Sequence, residues 1–114
     1  MEITEKKENN AMIFVLKGRL DSSASEEVEK KILQSIEMGT KNVILDFSAL
    51  SYISSAGIRL LVHCHKKIEK QNRRILLVAL PKAIENVLYI TGFLSYFKVY
   101  DHQDQAITAL KGHL

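Results

Sequence analysis

Two adjacent serines stand in the run Tyr52-Ile53-Ser54-Ser55-Ala56-Gly57, where an apolar strand-like pattern gives way to a helical one. A serine at such a handover can act as a nucleophile, cap the helix or accept a modification. The nucleophile elbow of the α/β-hydrolases needs G-x-S-x-G together with a histidine and an acid. Here the first glycine is missing for either serine. His63 and His65 lie on the serines' own helix, and His102 and His113 fall near the end of the chain. The pattern argues against serine hydrolysis.

His63-Cys64-His65 has the residue types of a metal site but the wrong spacing. Residues two apart on a helix point to nearly opposite sides, so the two imidazoles do not converge on one ion. Asp46, near the end of an apolar strand, has the position of a receiver-type phospho-acceptor. Such a site needs several acids to hold magnesium, and the loop after Met12 to Lys17 offers only Asp21. Lys66, Lys67, Lys70, Arg73 and Arg74 form the densest basic patch, at the end of the same helix, where cations meet the negative end of its dipole. No aromatic residues are interleaved to stack bases, which argues against nucleic-acid binding.

Capping and modification remain for Ser54 and Ser55, and they are compatible. A serine at a helix start satisfies an unpaired backbone donor. A phosphate placed there meets free N–H groups and the positive end of the dipole, so its charge can be carried without unfolding the domain.

The elements that must position these residues follow from periodicity. Ile3 to Lys6 and Met12 to Lys17 flank a polar Glu8-Asn9-Asn10 turn and read as a hairpin. Asp21-Ser22-Ser23-Ala24-Ser25-Glu26 offers several N-caps, with capping-box spacing between Ser23 and Glu26. The helix that follows has Val28, Ile32, Leu33 and Ile36 on its apolar face and Gly39 at its end. Asn42 to Phe47 reads as a central strand apolar on both faces. The second helix starts at the serines, with Ile58, Leu61, Val62, His65 and Ile68 on its apolar stripe. Ile75 to Leu80 is a further strand. Pro81 suits the first turn of a third helix ending near Thr91-Gly92, Phe97 to Tyr100 is the next strand, and Asp101 to Asp104 caps a last short helix carrying Ala106, Ile107 and Leu110. The order β-β-α-β-α-β-α-β-α predicts an α/β fold: a mixed sheet, largely parallel in its middle, with about four helices. In such sheets sites form beyond the carboxyl ends of central strands. Ser54 and Ser55 lie there, and the Asp21 to Ser23 loop shares their surface if its preceding strand runs parallel to Asn42–Phe47.

The chain of 114 residues, 46% hydrophobic and 25% charged, suits one compact domain spanning residues 1–114. Its formal charge is +3. A lone Cys64 fits a reducing compartment, and no signal-like or bilayer-spanning apolar run occurs, so a soluble cytoplasmic protein is expected.

The stretch VILDFSALSYISSAGIRLLV resembles the signature of the STAS domain, the fold of bacterial anti-sigma-factor antagonists. LKGRLDSSAS is similar to that family's G-x-L-D-x-x-x-A segment, and ALPKAIENVLYITGF to its third helix and the [ST]-G-[LF] ending. The resemblance covers essentially the whole chain. It implies that the family's phosphorylated serine falls on Ser55, with Ser54 as rival. Ser54 replaces the usual preceding aspartate, and Ala56 replaces a hydroxyl residue, which removes a competing site. The resemblance further implies a partner surface of Asp21, Ser22, Ser23, Ser54, Ser55, Ala56, Gly57, Ile58 and Arg59.

The resemblance implies a binder and kinase substrate, with no enzymatic activity and no cofactor or metal. In that family the unmodified form holds an anti-sigma factor that is also a GHKL-type serine kinase, which frees the sigma factor and so regulates transcription. Phosphorylation releases it, and a PP2C-type phosphatase restores it. The alternative is a STAS subunit or scaffold of a lipid-transport or stressosome-like complex, not switched by phosphate.

Overall fold

The two-residue alternation of Met12, Phe14 and Leu16 against Ala11, Ile13 and Val15 makes a strand with two apolar faces. In the computed structural model, which describes residues 1–9 and 11–111, this strand is β2, Ala11–Leu20, paired antiparallel with β1, Glu2–Glu8. The expected hairpin is present, with both arms longer than the pattern predicts. Asn10 of its turn, and His113, lie outside the described residues.

Beyond the hairpin the order is α1 (Ser22–Glu37), β3 (Asn42–Ile53), α2 (Ser55–Glu69), β4 (Arg74–Val78), α3 (Lys82–Ile90), a 3₁₀ turn at Leu94–Tyr96, β5 (Lys98–Tyr100) and α4 (Gln103–Lys111). The sheet runs β1-β2-β3-β4-β5, and every pair after the first is parallel. The predicted mixed sheet and element order are therefore both present, with β3 at the centre. Among the described residues no helix is long and apolar enough to cross a membrane.

Each β-α-β crossover puts its helix on the same face, so α1, α2 and α3 pack over Phe14, Leu16, Leu45, Phe47, Ile75 and Leu77. Burying one such side chain contributes about 1.5–3 kcal/mol. Among the described residues α4 alone covers the opposite face, with Ala106 and Leu110 set against Ile13, Ile44, Leu76 and Val78.

Four local expectations are revised. Strand β3 does not stop at Phe47 but continues to Ile53. Its pairing with β2 shifts register twice, between Val15 and Lys17 and between Gly18 and Arg19. Each shift adds a residue on β3, so the inward positions run Phe47, Leu50, Ile53, every third residue, and the alternation that marks a strand disappears. The cap of α1 is Asp21, whose Oδ1 accepts from Ala24 N at 3.0 Å; Ser23 and Glu26 form no capping box and lie exposed in the helix. The buried arc of α2 includes Leu60 and Cys64, while Val62 and His65 are only partly covered, because α2 packs on α1 as well as on the sheet. Strand β4 ends at Val78, two residues short of Leu80.

The end of α1 bears on the basic patch. Gly39, at φ +100°, lets Thr40 N–H donate to Ser35 O at 3.1 Å and Gly39 N–H to Ile36 O at 3.1 Å, a Schellman closure. Arg73 adds a cation at this helix end, its Nη1 donating to Thr40 O at 2.7 Å and Ile36 O at 3.4 Å.

Candidate functional site

Parallel pairing of β2 with β3 sets Leu20 opposite Ile53, so both strands leave the sheet at the same edge. Asp21 and Ser54 are the next residues, and each caps the helix that follows it. The Asp21–Ser23 segment and the serine pair thus share one surface, as the parallel reading requires.

The two serines have different surroundings. Ser54 is the N-cap of α2, with extended backbone (φ −91°, ψ 172°), and its Oγ accepts from Gly57 N–H at 3.1 Å. The same hydroxyl donates to Leu20 O at 3.0 Å, and the Ser54 N–H reaches that carbonyl at 3.0 Å. Capping, expected of the pair, falls to Ser54 alone. Ser55 is the first helical residue, exposed, and its Oγ has no hydrogen-bond partner among the described residues.

Gly57 is needed for close approach. A Cβ there would lie 2.8 Å from Ile53 Cγ1, 3.0 Å from Leu20 O and 3.1 Å from Leu20 Cγ. Gly57 and Ile58 are buried, so they support the surface from behind. Asp21, Ser22, Ser23, Ser55 and Arg59 are exposed, and Ser54 and Ala56 half-buried.

The surface continues into a groove of about 650 Å³ between α1 and α2, lined among others by Ser22, Ser25, Glu26, Ala56, Arg59 and His63. Sequence reasoning missed Ser25, Glu26 and His63. They recur at three- and four-residue intervals from Ser22 on α1 and from Ala56 and Arg59 on α2, a signal that acquires meaning only when the two helices are known to be neighbours.

The other candidates separate. His63 pairs with Glu29 across to α1, whereas His65 lies against Phe97, at 5.1 Å between ring centres, and near Glu69 at 3.2 Å. Cys64 points into the core, and burial, with the Glu29 charge adding to it, pushes the thiol up to about 12. Among the described residues no group of three or more His, Cys, Asp or Glu is placed to hold a metal ion. Asp46 is buried and structural, accepting from Ser48 N–H at 2.8 Å and from Gln103 Nε2 of α4 at 2.6 Å.

Comparison with known proteins agrees with this architecture. The STAS domain family model matches residues 2–106. BtrV of Bordetella bronchiseptica, a protein assigned by name as an anti-sigma factor antagonist, is 32% identical over 111 residues, 97% of this chain and 96% of its own length. A Thermotoga maritima structure assigned as an anti-sigma factor antagonist superposes with a TM-score of 0.90 at 20% identity, over 96% of this chain and 94% of the other. The anti-sigma factor antagonist SpoIIAA of Bacillus is 22% identical in both of its solved forms. Unphosphorylated, it superposes with a TM-score of 0.86 over 99% of each chain; phosphorylated, with 0.77 over 96% of this chain and 99% of the other. The three structural likenesses are of fold, and the sequence relationship to BtrV extends over nearly the whole chain. This chain belongs to the STAS domain family of anti-sigma factor antagonists.

Proposed function

We propose that this chain is a phosphorylation-switched anti-sigma factor antagonist. Unmodified, it binds an anti-sigma factor with GHKL-type serine kinase activity; phosphate on Ser55 releases it, and a PP2C-type phosphatase restores it. The chain acts as binder and substrate. One observation carries the choice of residue: the Ser54 hydroxyl is committed as both donor and acceptor, while the Ser55 hydroxyl is exposed and uncommitted. That SpoIIAA has been solved with and without phosphate supports a phosphate-switched reading.

A phosphate adds roughly −1.5 to −2 charges at neutral pH. At the start of α2 the dipole favours that charge by about 0.3–1 kcal/mol, so the domain keeps its fold. The penalty falls on the interface, where the added group must be desolvated or meets like charge. A cost of about 3 kcal/mol weakens binding more than a hundredfold.

The test is incubation with ATP and the kinase captured from the native host, followed by phosphopeptide mapping and affinity measurement. Phosphate on Ser55, constitutive kinase binding by Ser55→Ala, and weakened binding by Ser22→Arg support the reading. Modification at Ser54 or Ser23 overturns the residue assignment. Absence of any phosphate, with stable capture into a larger assembly, favours a STAS scaffold instead.

A further inference from the structure

Arg59 stands one helical turn beyond Ser55 on α2, at the i+4 position where side chains are neighbours. It is exposed and lines the groove beside Ser22, Glu26 and Ala56. None of the ion pairs among the described residues includes it. The first turn of α2 contains no acidic residue, so no side chain of that turn offsets the positive end of the helix. Ser54 Oγ takes the Gly57 N–H and Ser54 O the Ile58 N–H, while the N–H groups of Ser55 and Ala56 have no partner among the described residues. Of the nearby acids, Glu26 lines the same groove but forms no ion pair with Arg59 among the described residues. Asp21 Oδ1 is held by Ala24 N–H, and Glu29 is paired with His63.

We infer that Arg59 is the built-in counter-ion for a phosphate on Ser55. This rests on the reading that Ser55 carries the phosphate. The phosphoserine closes an i,i+4 charge-assisted pair with the guanidinium and accepts from the free N–H groups of Ser55 and Ala56. Arg59, offered to a partner in the unmodified chain, is then occupied within its own helix. Modification thus both adds an anion to the surface and withdraws a cation from it.

The pairing is measurable without the kinase or any partner. Phosphoserine is inserted at position 55 during translation, and the phosphate is titrated by phosphorus NMR through its second ionisation, near pH ~6. An adjacent cation favours the dianion. The transition in the parent chain therefore lies roughly half a unit below that in Arg59→Gln, with Arg59→Lys close to the parent and high salt narrowing the gap. The Arg59 Nε–H resonance follows the same transition. Both substitutions are at an exposed position, and unchanged amide spectra elsewhere verify the fold. Identical titrations in the parent and Arg59→Gln, with a stationary Nε–H signal, overturn the inference while leaving Ser55 as the kinase's target. Phosphate mapped to another serine by the kinase overturns the functional reading and leaves the titration result intact.

Discussion

Leu20 and Ser54 are joined twice: one carbonyl, at the end of β2, accepts both the backbone N–H and the hydroxyl of Ser54, each at 3.0 Å. This carbonyl ties the start of α2 to the loop that starts α1. It links the starts of the two helices along one edge, and it leaves Ser55 as the exposed hydroxyl of the pair.

Ser54→Ala should lower stability by about 1–2 kcal/mol, since it removes an N-cap. Ser55→Ala should stay within about 0.5 kcal/mol of the parent, as expected of an exposed residue without a bonded side chain. Urea denaturation of the two variants checks this. The reverse ranking would mean that Ser55 is the cap.

Gly57→Ala sets two effects against each other. Alanine gains about 1 kcal/mol of helix propensity over glycine. Against this, its Cβ would meet Ile53 and Leu20 at 2.8 and 3.0 Å, the second contact being with a backbone oxygen already fixed by Ser54. Overpacking of this kind costs about 1–3 kcal/mol, so net destabilisation is expected. A raised midpoint in thermal unfolding would show that the edge yields.

Arg73 should differ from the lysines around it. Arg73→Ala loses charge-assisted bonds to Thr40 O and Ile36 O and should cost about 1.5–3 kcal/mol. Lys67→Ala and Lys70→Ala, at exposed positions, should each change stability by less than about 0.5 kcal/mol. Equal losses in a denaturant series would contradict a structural role specific to Arg73.

Cys64 should make stability fall at high pH. Its thiol is raised from its ordinary value of 9.0 to about 12, mainly by burial. Below pH 9.0 both folded and unfolded chains keep the proton, and the contribution is fully present. Between 9.0 and about 12 the unfolded chain releases it and the folded chain does not, so the folded state binds more protons and stability declines as pH rises. Cys64→Ala should show a shallower decline over that window in urea titrations. Near neutral pH a thiol reagent should label the parent only as fast as the domain opens.

Much of the order was legible because it depends on local chemistry. A polar turn flanked by β-branched and aromatic residues marked the β1–β2 hairpin, helical spacing marked α1 and α2, and polar or glycine punctuation at Asp21, Gly39, Ser54 and Gly92 marked helix ends. The run Ser54-Ser55-Ala56-Gly57 was enough to place the serine pair at a helix start. The far half of β3 was not legible, because two bulges replace alternation with an inward residue every third position at Phe47, Leu50 and Ile53.

What the sequence by itself determined was the order of elements, the parallel core and the serine pair at a strand-to-helix handover, since each follows from neighbours a few residues apart. Which serine is committed was decided by the tertiary structure. Ser54 and Ser55 are the same residue type at adjacent positions, and they are distinguished by the carbonyl of Leu20, 34 residues away in the chain. A backbone carbonyl carries no side-chain signature. The groove between α1 and α2, and Arg73 at the end of α1, depend likewise on long-range packing, which brings together residues whose spacing alone gives no reason for them to meet.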